Sequence, residues 1–88
     1  MTKPKTPHPD AGDATTRRVH EVITQVIKRT VPAIDTDLAG LGVDSVTMLE
    51  VLVALEDRFN IVINENTVRE FRTVQGITRI VKELIRSQ

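Results

Sequence analysis

The sequence contains no cysteine. A disulfide framework and a thiolate metal site are therefore excluded, and any sulfur chemistry must come from a cofactor. No run of apolar residues is long enough to span a bilayer. Residues 1–13 include lysines but lack the apolar segment of a secretory signal. We therefore expect a cytoplasmic protein that does not insert into a membrane.

The chain has 88 residues, which is enough for one domain and too few for two. A chain of this length buries only about 60% of its unfolded surface, so its core is small. There is little room for a deep catalytic cleft. The size therefore disfavours a self-contained enzyme.

The chain also lacks a surplus of charge, since twelve basic residues balance twelve acidic ones. A nucleic-acid-binding domain needs an excess of basic groups for phosphate contacts, so that class is disfavoured. The charge is unevenly spread, because residues 31–60 contain one basic and six acidic side chains. A field that steers a partner protein would originate in this middle third.

Apolar residues at helical spacing predict an all-α fold of three longer helices and one short helix. Prolines and a glycine in residues 1–13 indicate a disordered tail, and residues 14–88 form the predicted domain. The first helix is expected to end near Arg29 or Thr30, because Pro32 disfavours helix at the preceding residue. A long loop, residues 31–44, follows, with Gly40 and Gly42 offering positive φ for a tight turn. The apolar positions of the first helix are Val19, Val22, Ile23, Val26 and Ile27.

The remaining helices begin after short polar residues, which are good N-caps. Asp44 precedes the second helix and Asn60 follows it, and Thr73 precedes the last helix. Asn64 or Asn66 is expected to cap the short helix. Residues 61–63 are β-branched and have no partner strand, so an extended connector is preferred to a strand. The apolar stripe of the second helix is read as Val46, Leu49, Leu52, Val53 and Phe59, widened by Met48, Val51 and Leu55.

Ser45 is the most informative polar residue, because it opens the second helix directly behind Asp44. In most proteins such an Asp-Ser pair is only a capping signal. A hydroxyl on the first turn nevertheless points outward, and a phosphate attached there would meet the positive end of the helix dipole. The position is therefore suited to carrying a phosphodiester.

The segment Leu-Gly-Val-Asp-Ser-Val at 41–46 runs into an apolar and acidic helix that ends in Glu-Asp-Arg-Phe at 56–59. This arrangement resembles the phosphopantetheine attachment site and second helix of acyl carrier proteins. The resemblance continues through residues 61–63 and Thr73-Val74-Gln75, and covers roughly residues 16–86. It implies a non-enzymatic four-helix carrier domain.

The resemblance also implies a chemistry for individual residues. Ser45 matches the serine to which a phosphopantetheinyl transferase attaches 4′-phosphopantetheine from coenzyme A, and Asp44 would help to present it. The arm would carry acyl groups as thioesters to an acyltransferase, a ketosynthase or other acyl-processing enzymes, with the carrier itself a monomer. Residues matching the partner-facing side of the second helix are Val46, Met48, Glu50, Glu56 and Asp57.

Several positions depart from the acidic carriers of fatty-acid synthesis. Thr47 stands where an acidic residue is usual, Arg69 and Arg72 occupy a region that is often acidic, and the net charge is zero. We therefore expect a carrier of polyketide or related specialised biosynthesis. The alternatives are a fatty-acid synthesis carrier, an aminoacyl or peptidyl carrier, and an unmodified interaction module with the carrier fold. A DNA-binding domain is less consistent with the acidic second helix, and a metal site at His8 or His20 lacks further ligands.

Overall fold

A computed structural model of the chain describes residues 13–87. All regular elements in this range are helical, and none of its residues forms a strand, which confirms the all-α prediction and the extended connector at residues 61–63. The predicted tail lies outside the described residues except for Asp13. In chain order, the elements are α1 (Ala14–Ile27), a first 3₁₀ helix (Leu38–Leu41), α2 (Ser45–Phe59), a second 3₁₀ helix (Glu65–Glu70) and α3 (Val74–Ser87).

Short polar side chains cap the ends of the helices, as the sequence predicts for Asn60 and Thr73. The carboxylate of Asp13 accepts a hydrogen bond of 2.7 Å from the backbone N–H of Thr16 and caps α1. The hydroxyl of Thr73 accepts one of 2.9 Å from the N–H of Gly76 and caps α3. Asn60 ends α2 in the left-handed conformation, with φ of 56°. Each cap satisfies backbone groups that a helix leaves unpaired at its ends.

The end of α1 differs from the prediction. The helix stops at Ile27, short of Arg29 and Thr30, because Lys28 adopts a left-handed conformation with φ of 58°. The N–H of Lys28 bonds to the carbonyl oxygen of Thr24 at 2.9 Å, which closes the last turn. Nothing in the sequence indicates that Lys28 is left-handed. Pro32 only limits how far the helix can extend, and does not fix the residue at which it ends.

The core confirms the apolar stripe of α1, whereas the stripe assigned to α2 is confirmed only in part. Three of the residues assigned to the main stripe of α2 are largely exposed, whereas the residues assigned to its margin are buried. α2 is apolar around most of its circumference, so the buried face is decided by its packing on α1 and on the second 3₁₀ helix. The exposed residues are Val46, Leu49 and Val53. The buried residues are Met48, Val51, Leu52 and Leu55.

The loop between α1 and α2 is fastened to the rest of the domain. Leu38 is fully buried, and Ile34 packs against the core. Two backbone hydrogen bonds of 2.8 Å add to this, from the N–H of Leu38 to the carbonyl of Arg72 and from the N–H of Gln75 to the carbonyl of Ile34. Apolar side chains and backbone hydrogen bonds therefore hold this loop against the helices.

The last part of this loop is more ordered than predicted, because it contains the first 3₁₀ helix. Asp37 caps it by accepting a hydrogen bond of 3.1 Å from the N–H of Ala39. Gly42 then takes φ of 84°, a conformation that favours glycine, and turns the chain toward α2. Gly40 does not have a positive φ, so the prediction for this glycine was wrong; its position inside the 3₁₀ helix requires ordinary helical geometry.

None of the helices in residues 13–87 is long and apolar enough to cross a membrane.

Candidate functional site

Ser45 is the first residue of α2, and its side chain is exposed. Asp44 precedes it in an extended conformation and accepts a hydrogen bond of 2.9 Å from the backbone N–H of Thr47. This hydrogen bond lowers the pKa of Asp44 below its ordinary value, so the carboxylate is anionic at neutral pH. The turn at Gly42 and the cap at Asp44 together place the Ser45 hydroxyl at the outer edge of the domain.

A groove of about 420 Å³ lies beside Ser45, which we call the Ser45 groove. Three segments that are distant in sequence meet there: the loop, the first turn of α2 and the region of the second 3₁₀ helix. Its apolar lining includes the buried side chains of Met48 and Phe71. The lining residues are Asp37, Ala39, Val43, Asp44, Ser45, Met48, Val68, Arg69, Phe71 and Arg72.

The site fits a covalently attached 4′-phosphopantetheine. The Ser45 hydroxyl is accessible for a phosphodiester bond, and it belongs to the first turn of a helix, where negative charge is favoured. The adjoining groove offers space for the chain that follows the phosphate. A serine whose side chain packed into the core would not satisfy these requirements.

A second concave surface runs along the outside of α2, which we call the α2 surface. It is shallow and open, borders a space of about 620 Å³, and is mainly apolar with two carboxylates. The exposed fractions of Val46 and Val53 are 66% and 60%, which is high for aliphatic side chains. The residues of the α2 surface are Val46, Leu49, Glu50, Val53, Ala54 and Asp57.

The predicted partner-facing residues do not all lie on the α2 surface. Val46, Glu50 and Asp57 do. Met48 is buried with 6% of its surface exposed and instead lines the Ser45 groove. Glu56 is half-buried, and its carboxylate accepts a hydrogen bond of 2.8 Å from the N–H of Ile63. Glu56 therefore secures the connector after α2.

Sequence reasoning missed two groups of residues at these sites. Leu49 and Val53 belong to the α2 surface but were assigned to the core, because periodicity does not distinguish two apolar faces of one helix. Arg69 and Arg72 line the Ser45 groove. Their charge was evident in the sequence, but no local pattern places them beside Ser45.

The described residues give Ser45 no partner for nucleophilic catalysis. No side chain in residues 13–87 forms a hydrogen bond with its hydroxyl. His20 is engaged elsewhere, with Nε2 3.0 Å from the carbonyl oxygen of Val31, so this nitrogen carries the proton and donates. His8 lies outside the described residues. Among residues 13–87 no group of three or more histidine, aspartate or glutamate side chains is placed to hold a metal ion.

Comparison with known proteins gives consistent matches. The family model described as "Phosphopantetheine attachment site" matches residues 17–81. The chain is 27% identical over 75 residues to "Acyl carrier protein 5, chloroplastic" of Arabidopsis thaliana, covering 77% of this chain and 54% of that protein. It is 28% identical over 54 residues to "Acyl carrier protein 4, chloroplastic" of the same plant, covering 61% of this chain and 39% of that protein.

A barley protein gives a similar result. The chain is 29% identical over 51 residues to "Acyl carrier protein 1, chloroplastic" of Hordeum vulgare, which covers 58% of this chain and 34% of that protein. The matched part of the chain thus spans between a third and about half of the length of these curated relatives. The match to the family model includes Ser45, the Ser45 groove, the α2 surface and most of the three α-helices.

Proposed function

This chain belongs to the acyl carrier protein family, which is characterised by a phosphopantetheine attachment site, and we propose that it carries acyl groups as thioesters on a 4′-phosphopantetheine arm at Ser45. The observation that carries the assignment to Ser45 is its position. It is an exposed serine on the first turn of α2, directly behind a capping aspartate and beside a groove. The other serine of the chain, Ser87, lies at the end of α3 and donates to the carbonyl of Glu83.

The part of the chain in loading is to present one hydroxyl. The oxygen of Ser45 forms a bond to the phosphorus of the phosphopantetheine moiety of coenzyme A, the hydroxyl proton leaves, and adenosine 3′,5′-bisphosphate is released. Asp44 holds the first turn in place through its bond to the N–H of Thr47. The arm supplies the terminal thiol that forms the thioester, which a chain without cysteine cannot supply itself.

We further propose that the α2 surface binds the enzymes that load and use the arm. These are a phosphopantetheinyl transferase and acyl-processing enzymes such as an acyltransferase or a ketosynthase. Exposed Val46, Leu49 and Val53 supply apolar contact area. Glu50 and Asp57 at the edge supply negative charge that speeds encounter with a basic partner. Such a contact has to be weak enough to permit repeated exchange between enzymes.

For the pathway we propose polyketide or related specialised biosynthesis. The supporting observations are the zero net charge of the chain, Thr47 on the first turn of α2 and the two arginines beside Ser45. Partners evolved for a uniformly acidic carrier would meet Arg69 and Arg72 close to the arm. A different set of partners is consistent with this mixed charge.

The test is the intact mass of the protein after incubation with coenzyme A, Mg²⁺ and a promiscuous phosphopantetheinyl transferase. Wild type is compared with Ser45→Ala and with Ser87→Ala, which removes the only other serine hydroxyl. We expect a gain of one phosphopantetheinyl group in wild type and Ser87→Ala, and none in Ser45→Ala. No gain in folded wild type would refute the carrier role and favour an unmodified interaction module. A gain that persists in Ser45→Ala would refute the assignment to Ser45.

A further inference from the structure

Two cationic side chains stand at the Ser45 groove without a partner. Arg69 lies in the last turn of the second 3₁₀ helix and Arg72 lies in the segment before α3, and both are exposed. Both line the same groove as Ser45. Within residues 13–87, neither guanidinium takes part in an ion pair or a hydrogen bond. Each therefore has its donors available for an anion in the groove.

Modification of Ser45 would add negative charge to a groove that already contains two carboxylates. These are the carboxylates of Asp37 and Asp44, which act as helix caps and so are held in place. A phosphodiester at Ser45 adds a third negative charge directly next to Asp44. Arg69 and Arg72 are the two positive side chains in the lining, and they offset the repulsion among these three anions.

We propose that Arg69 and Arg72 bind the phosphodiester of the arm on Ser45 and hold the first part of the arm in the Ser45 groove. This inference rests on the proposed attachment at Ser45. Guanidinium groups suit the task because their fork of N–H donors matches the oxygens of a phosphate. The apolar lining at Met48, Val68 and Phe71 suits the aliphatic part of the arm that follows the phosphate.

The tethered phosphate is favoured over an acidic partner protein as the ligand of these arginines. A group covalently attached to Ser45 is present at a high effective concentration in the adjoining groove. It also lies at the positive end of α2. An acidic partner that entered the groove would have no covalent link to hold it there against the carboxylates of Asp37 and Asp44. The phosphate, by contrast, is covalently attached to Ser45 and stays in the groove.

The test uses the full chain in its unmodified form and in its loaded, unacylated form, with loading verified by intact mass. Two further samples are the loaded chain with a carboxylate-bearing acyl group on the arm and the loaded chain with an added acidic protein. Nitrogen-15 NMR follows the side-chain Nε–H signals of the arginines, and phosphorus-31 NMR follows the phosphodiester. Loading is expected to shift the Nε–H signals of Arg69 and Arg72 but not that of Arg58. Arg58 is an exposed arginine of α2 outside the groove lining and serves as the control.

Variants provide a second readout on the phosphate itself. We expect Arg69→Gln combined with Arg72→Gln to shift the phosphorus signal, whereas Arg58→Gln leaves it unchanged. Raising the salt concentration from ~0.05 to ~0.5 M shortens the range of charge interactions severalfold. It should move the wild-type phosphorus signal toward that of the double variant and leave the signal of the double variant in place. The comparison of unmodified and loaded wild type requires no substitution, so it holds even if a variant folds poorly.

Four results would overturn the proposal. Complete loading without any response of Arg69 or Arg72 shows that they do not bind the phosphodiester, while the carrier role stands. A response that appears only with a carboxylate-bearing acyl group on the arm assigns the arginines to the cargo. A response that appears only on addition of an acidic partner protein assigns them to docking. Absence of the mass gain refutes the carrier role, and this inference with it.

Discussion

Asp13 joins the start of α1 to α3, and its replacement tests how the domain is held together. One carboxylate oxygen accepts from the N–H of Thr16 at 2.7 Å, and the other lies 2.5 Å from Nζ of Lys82. Asp13→Ala removes both the helix cap and the ion pair. Asp13→Asn keeps a capping oxygen and removes only the negative charge. The pair of variants therefore separates the hydrogen bond from the charge.

The magnitudes follow from the exposure of the two side chains. Lys82 and Asp13 are 41% and 33% exposed, so their ion pair contributes about 0.5 kcal/mol. The interaction of the anion with the α1 dipole adds about 0.5 kcal/mol. Asp13→Asn should therefore cost about 1 kcal/mol. Loss of the cap in Asp13→Ala adds about 1 kcal/mol more. One kcal/mol lowers Tm by roughly 4 to 8 °C in a domain of this size.

The cost of Asp13→Asn should depend on pH. Burial raises the pKa of Asp13, but hydrogen bonds from Lys82 and Thr16 outweigh it and bring the pKa to about 2, from 3.8. A pKa lowered in the folded state stabilises the protein fully above pH 3.8, and this stabilisation is lost as the pH falls toward 2. One pK unit equals about 1.4 kcal/mol. Solvent screening of a side chain that is one third exposed reduces the total contribution to about 1 kcal/mol.

The assay is urea unfolding of wild type, Asp13→Asn and Asp13→Ala, followed by far-ultraviolet circular dichroism between pH 6 and pH 2. The free-energy difference between wild type and Asp13→Asn should be constant above pH 5 and should fall to a small fraction of that value at pH 2. A difference that is the same at pH 2 and pH 6 would refute the charge argument. Phosphopantetheine loading of both variants should match wild type at neutral pH, because Asp13 does not line the Ser45 groove.

Two further predictions concern α3 and the α2 surface. Thr78 is buried and its hydroxyl has no hydrogen-bond partner among the described residues. Thr78→Val should therefore raise the free energy of unfolding, measured in urea titrations, by about 1 kcal/mol. A loss of stability would show that the hydroxyl does have a partner. Glu50→Gln combined with Asp57→Asn should slow loading by the transferase several-fold at low salt and weaken its salt dependence. Glu21→Gln, an exposed change on α1, should leave loading unchanged, and equal rates for all three proteins would contradict the docking role of the α2 surface.

The helix boundaries were predictable where short-range chemistry sets them. Asp44, Asn60 and Thr73 act as caps in the structure because a cap involves only residues within one turn. The end of α1 at Lys28 was not predictable in this way. Its left-handed conformation has no residue-specific signal, unlike that of Gly42, and is selected by the path of the following loop.

The faces of α2 and the groove beside Ser45 depend on the whole fold. Val53 and Leu52 are adjacent, similarly apolar residues, yet one is exposed and the other buried. Only the packing partners of α2 distinguish them. Arg69 and Arg72 reach the groove of Ser45 because the second 3₁₀ helix packs on α2. The sequence thus predicted Ser45 as the attachment residue, which stays a prediction, whereas the charges that surround it required the three-dimensional structure.

The two backbone hydrogen bonds that fasten the loop also allow its opening to be measured by amide hydrogen exchange. They join the loop to the start of α3 and to the segment before it, a contact that we call the seam. The amide nitrogens of Leu38 and Gln75 each lie 2.8 Å from the carbonyl oxygen that they bond, on Arg72 and Ile34 respectively. Each amide proton can exchange with heavy water only while its hydrogen bond is open. Their exchange rates therefore report how often this seam separates, in unmodified and loaded protein alike, without any probe on the arm. Slower exchange on loading would mean that attachment of the arm keeps the loop and the start of α3 together for longer.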